Sequence, residues 1–111
     1  MGCYQKIVIM GRLGKDPETA ATKNGGNRCV FSVAVDEGSV DKKQTEWFTV
    51  VCFDKLADLC KNNLRKGFLV LIEGKLRTRS WEGTGGQTNY RTDLVAHLAT
   101  FIDRIRNEDL V

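Results

Sequence analysis

Only one segment of this chain repeats its apolar residues at helical spacing: Leu56, Leu59, Cys60 and Leu64. The other apolar stretches are rich in β-branched and aromatic residues, which suit a pleated sheet. Lys6 to Leu13 (KIVIMGRL), Cys29 to Val35 (CVFSVAV) and Thr45 to Phe53 (TEWFTVVCF) read as three strands before the helix, with Phe68 to Trp81 and Tyr90 to Ile102 as two after it. The helix is expected over 55–66. Asp54 is positioned to cap its first amides, Arg65 and Lys66 complement its C-terminal dipole, and Gly67 offers a left-handed stop. Asp16-Pro17-Glu18 ends the first strand, Asn24 to Asn27 carries turn chemistry, and Asp36 to Gln44 reads as a polar loop. Gly83-Thr84-Gly85-Gly86 reads as a hairpin tip. It is not a phosphate loop, because no Gly-Lys-Ser/Thr follows to open a helix.

Three strands, a helix and two strands is the element order of the all-β, five-stranded oligonucleotide-binding (OB) barrel. Other small barrels share that inventory, so order alone leaves the fold open between them. The chain's 111 residues, 41% of them hydrophobic, suit one packed domain, expected over 1–103 with a short extension over 104–111. No apolar run is long enough to span a bilayer, and the first residues lack a secretory apolar region. Lys6 stands where a myristoylation signal wants Ser or Thr. A cytoplasmic protein is expected. Of the four cysteines, Cys3, Cys29, Cys52 and Cys60, no two have the short gap that zinc ligands favour. They read as small buried hydrophobes in a reducing compartment, and neither a metal nor a cofactor is expected.

Several strands are apolar on both faces. Ile7 to Met10 and Phe68 to Ile72 are unbroken, whereas a half-buried strand should alternate. One helix cannot cover every outer face, so self-association by strand packing is expected.

Net charge is only +3, so any argument for nucleic acid must come from how the charges are distributed. From Glu73 to Trp81 the alternation is clean: Lys75, Arg77 and Arg79 share a face and lead to Trp81. Trp47, Thr49, Val51 and Phe53 share a face of the third strand, and Trp47 and Phe53 stand about 20 Å apart, room for several unstacked bases. Every nucleobase has a π-face, so aromatic platforms accept any sequence while cations neutralise phosphates. The competing reading puts Trp47 and Phe53 in the core and leaves the arginines on a solvated strand.

With these residues in hand, the chain resembles the DNA-binding domain of the bacterial single-stranded DNA-binding protein family from about Lys6 to Ile102. The resemblance is carried by KIVIMGRLGKDPE from Lys6 to Glu18, Phe31 to Val35, TEWFTVV from Thr45 to Val51, Leu64 to Gly67, and EGKLRTRSW from Glu73 to Trp81. It implies an OB barrel that assembles as a homotetramer, less often a homodimer, and coats single strands in replication, recombination and repair in the cytoplasm, at the nucleoid. Trp47, Phe53 and Trp81 match the family's stacking aromatics, and Arg77 and Arg79 its backbone contacts. Lys75, Lys6, Arg12, Arg65 and Lys66 are further groove candidates, and Ile7, Ile9 and Phe48 are subunit-contact candidates. Two departures are visible. The loop Asp36 to Gln44 has no aromatic residue, and the family's long tail with an acidic, hydrophobic tip has no counterpart here, which leaves recruitment of replication or repair proteins open.

A replication-restart scaffold of primosomal type would share the barrel without needing the Arg77 to Trp81 pattern. An RNA-directed role stays open, since stacking does not consult the 2′-hydroxyl. An enzyme has little support: Asp54 reads as a cap, Asp36 and Glu37 as loop charge, and His97, the single histidine, as structural.

Overall fold

The computed structural model describes residues 2, 4–39 and 41–104. Cys3 and residues 105–111 of the expected extension lie outside the described residues. Six strands and one helix follow one another: β1 (Ile7–Leu13), β2 (Glu18–Ala21), β3 (Asn27–Glu37), β4 (Gln44–Phe53), α1 (Asp54–Asn63), β5 (Leu69–Glu82) and β6 (Thr88–Phe101). Hydrogen bonding orders the sheet β1-β5-β6-β4-β3-β2, and an additional β1–β3 pairing closes it into a barrel. All described pairings are antiparallel except β4 with β6, which needs the crossover that α1 supplies. This is the OB barrel, with one helix between the third and fourth of its long strands.

The strand count differs by one. Glu18–Ala21 pairs with β3 through Glu18↔Val30 to Ala21↔Asn27, yet all four of its residues are exposed. An edge strand that buries nothing leaves no apolar period to read.

The helix also departs from expectation at both ends. Asp54 is its first residue, at φ 55°, and makes no capping bond; Phe53 occupies the N-cap position. The last helical residue is Asn63, because Leu64 turns extended and is fully buried. Arg65 and Lys66 therefore belong to the next turn, which Phe68 N–H closes on the Arg65 carbonyl at 3.0 Å. Gly67 takes the left-handed place in that turn, at φ 86°, which a side chain would resist.

Alternation sets the core. Ile9 and Leu13 of β1, Cys29, Phe31 and Val33 of β3, Val50 and Cys52 of β4, and Val70 and Ile72 of β5 point inward to meet Leu94 and Ala96 of β6. Ala57, Cys60 and Leu64 seal one end of the barrel. Beyond a bulge at Glu73/Gly74, β5 is exposed from Lys75 to Glu82 and runs out with β6 as a hairpin arm.

The same alternation divides the expected subunit contacts, and only Ile9 is buried. Ile9 is a core residue, and Ile7 and Phe48 pack against the core. The outward apolar residues of β1 are Val8 and Met10, each 52% exposed, with Leu98 of β6 on the same outer surface. Among the described residues, no helix is long and apolar enough to cross a membrane.

Candidate nucleic-acid interface

Residues directly opposed across a ladder share a face, so the register builds the outer surface of the barrel residue by residue. Along β4 and β3, Trp47 opposes Ala34, Thr49 opposes Ser32, Val51 opposes Val30 and Phe53 opposes Arg28. The parallel pairing sets Val51 against Val95. On the hairpin arm Val95 faces Lys75, Asp93 faces Arg77, Arg91 faces Arg79 and Asn89 faces Trp81. One continuous outer face thus carries both tryptophans, Phe53 and the arginines of three strands.

Two adjoining depressions run across this face. The first, about 330 Å³, is lined by Gly14, Lys15, Asp16, Trp47, Thr49 and Arg91 among others. The second, about 270 Å³, is lined by Arg28, Val51, Phe53, Arg77, Arg79, Arg91 and Asp93. Glu18, Val30 and Arg91 belong to both, so together they form one groove from Trp47 to Arg79. Asp16 fastens the rim by accepting the Lys66 N–H at 2.8 Å.

Burial separates the competing readings of the aromatics. Trp47 is 60% exposed and Trp81 49%, so neither fills the core. Phe53 is half-buried on the outer face, with the Arg77 guanidinium carbon 5.9 Å from its ring centroid. At that range the cation is attracted to the ring's negative face. Trp81 lines neither depression; it stands farther out on the arm, on the side that carries Arg77 and Arg79.

The cations expected in the groove divide. Arg77 and Arg79 line it. Lys75 is exposed on the same face but lines neither depression. Lys6 pairs with Glu73 at 2.9 Å beside Val8, and its pKa is raised by that hydrogen bond and by the carboxylate's charge. Arg12 is held by the Gly67 carbonyl and Asp103, at 2.9 and 3.2 Å. Arg65 and Lys66 sit in the turn after α1. None of these last four lines either depression, although Lys66 touches the rim through its N–H to Asp16.

Arg28, Arg91 and Asp93 are among the groove residues not singled out from the sequence. The signal was present in the hairpin, because strands pairing back from the Gly83–Gly86 tip put 91 opposite 79 and 93 opposite 77. Asp93 is only 2% exposed and is flanked by Arg91 Nε at 3.0 Å and Arg79 Nη2 at 3.4 Å. A buried carboxylate is tolerable only when paired in this way. Among the described residues no group of three or more His, Cys, Asp or Glu could hold a metal ion, and His97 is exposed.

The family model described as "Single-strand binding protein family" matches residues 4–102. A single-stranded DNA-binding protein from Thermotoga maritima is 37% identical over 109 residues, which cover 94% of this chain and 77% of that protein. A solved structure of a Plasmodium falciparum SSB complex with ssDNA superposes with a TM-score of 0.84 at 29% identity, covering 93% of this chain and 98% of that one. Barrel and sequence converge: the chain belongs to the single-strand binding protein family, whose members are non-enzymatic DNA-binding proteins.

Proposed function

We propose that the outer groove binds single-stranded DNA with little sequence preference, stacking bases on Trp47, Phe53 and Trp81 while Lys75, Arg77 and Arg79 engage the phosphates. One observation carries this reading: exposed aromatic rings and arginines share a single open face, where a protein without a ligand would leave such rings buried. Stacking is worth about 1–3 kcal/mol per base, and three phosphate contacts correspond to a salt slope of roughly −2 per subunit. The setting proposed is strand protection in replication, recombination and repair, in the cytoplasm at the nucleoid, with the barrel domain ending near 103.

The test is tryptophan fluorescence. Titration with oligo-dT is expected to quench Trp47 and Trp81 strongly, less so as salt rises; an unchanged signal at low salt overturns the reading.

Self-association belongs to the same proposal, with a homotetramer preferred to a dimer. Val8, Met10 and Leu98 support it, as an exposed apolar strip on the outer barrel wall. A clean monomer by sedimentation at low micromolar concentration would overturn it.

A further inference from the structure

The groove holds four arginines, and two of them are arranged in a way that simple charge density does not explain. Asp93 takes Arg91 through Nε to Oδ1 and Arg79 through Nη2 to Oδ2, one guanidinium on each carboxylate oxygen. A guanidinium offers five donors in a rigid fork, so each arginine is oriented by one edge and keeps others free. Both side chains remain 48% exposed although their anchor is buried. Across the same depression Arg28 Nε is enclosed, with no hydrogen-bond partner among the described residues. A buried donor without an acceptor is costly unless an acceptor arrives. Four guanidiniums against the carboxylates of Glu18 and Asp93 leave the pocket cationic, next to Phe53.

We infer that Arg28, Arg79 and Arg91 form a clasp for one phosphodiester group beside Phe53, and that Asp93 is the positioning residue that holds two of its arms. The inference rests on the proposed single-strand binding and adds the site of one particular phosphate. Planar donors fixed in advance bind an anion without first losing rotamer freedom. The buried carboxylate is thus a scaffold for the cations, although its own charge repels the ligand.

The experiment is oligo-dT titration by tryptophan fluorescence at several salt concentrations, on wild-type protein and on Arg28→Gln, Arg91→Gln and the double variant. Each single variant is expected to weaken binding about tenfold, in line with loss of one charge-assisted hydrogen bond. Because one phosphate is shared and Arg79 remains, the double variant lowers the salt slope by no more than about 0.7 in total. A fall of about 1.4, with multiplying affinity losses, would mean two independent contacts and would overturn the clasp. Normal wild-type binding that both substitutions leave untouched overturns the clasp alone; a wild type that binds no dT overturns the proposed function and the clasp together. Asp93→Asn tests the anchoring separately. It makes the groove more positive, yet weaker binding is expected, and tighter binding would remove Asp93 from the clasp. If that variant does not fold, Asp93→Glu keeps the charge while displacing the two arms, and its unaltered affinity would have the same consequence.

Discussion

The Trp47 indole lies against the backbone at Gly14: a Cβ built on residue 14 would stand 2.6 Å from Trp47 Cζ3 and 2.8 Å from Cη2. The ring on the exposed face of β4 thus lies against the chain just past the end of β1, and both residues line the first depression. The clash falls on the far end of a side chain, so the ring can yield while the barrel stays intact. Gly14→Ala is therefore expected to keep the fold, shift the Trp47 emission and weaken oligo-dT binding several-fold. Emission and affinity matching wild type would show that the ring does not depend on this contact.

The aromatic residues differ in what surrounds them, and their variants should differ in the same order. Trp47→Ala and Trp81→Ala remove exposed rings, so binding is expected to fall by about 1–3 kcal/mol each with little change in thermal stability. Phe53→Ala should weaken binding by a similar amount and also lower stability slightly, because it loses a half-buried ring and the Arg77 contact. Calorimetric unfolding beside fluorescence titration separates the two effects. Loss of fold in both tryptophan variants would return those rings to a structural role.

Much of this face was legible in the sequence because strand alternation is rigid: a two-residue period fixes which side chains share a surface, and it assigned Trp47 with Phe53 and Arg77 with Arg79. Period says nothing about which side is inside. For Ile7, Ile9 and Phe48 that choice was decided by barrel closure, through β1 pairing with both β5 and β3. Cations spread along the chain were equally ambiguous, and Lys6 and Arg12 are taken by Glu73 and Asp103 through contacts of long sequence separation. Arg28 sits in a segment whose local pattern is unremarkable, and only the β3–β4 register brings it to Phe53, whereas counting back from the hairpin tip does place Arg91 opposite Arg79. Asp54 failed as a cap because the chain enters the helix through a left-handed residue, which no propensity rule anticipates.

Val8 and Met10 are the surface apolar residues whose substitution should cost the barrel least. Each is half-exposed on β1 and lies outside the core. Val8→Asp combined with Met10→Asp is expected to leave the fold intact and shift sedimentation toward the monomer, since a charge in an apolar contact is unpaired there. Leu94→Ala is the contrasting case: its side chain is 1% exposed inside the barrel, and its truncation should cost about 2–5 kcal/mol of stability. An unchanged oligomer in the first variant would move the interface off this strip.

Cys29, Cys52 and Cys60 are fully buried side by side in the sealed end of the barrel, with the Cys52 thiol 3.7 Å from the Cys29 carbonyl. A hydrogen bond with Cys52, together with burial, raises the Cys29 pKa above its ordinary value. For Cys52 the bond with Cys29 acts downward, but the bond with Cys60 and burial outweigh it, and the thiol is pushed up from 9.0 to about 12. The native Cys29 and Cys52 thiols thus keep their protons where the unfolded chain loses them, and stability should be full below pH 9 and decline as pH climbs toward about 12. In a Cys3→Ser background, Cys52→Ala should flatten that decline while lowering stability at neutral pH through the cavity it leaves. The same background should be inert to a thiol reagent near neutral pH while folded and react at all the remaining cysteines once unfolded, because burial withholds access to all three thiols. Rapid modification of the folded protein would show that the end of the barrel opens readily at Ala57 and Leu64, the residues that close it.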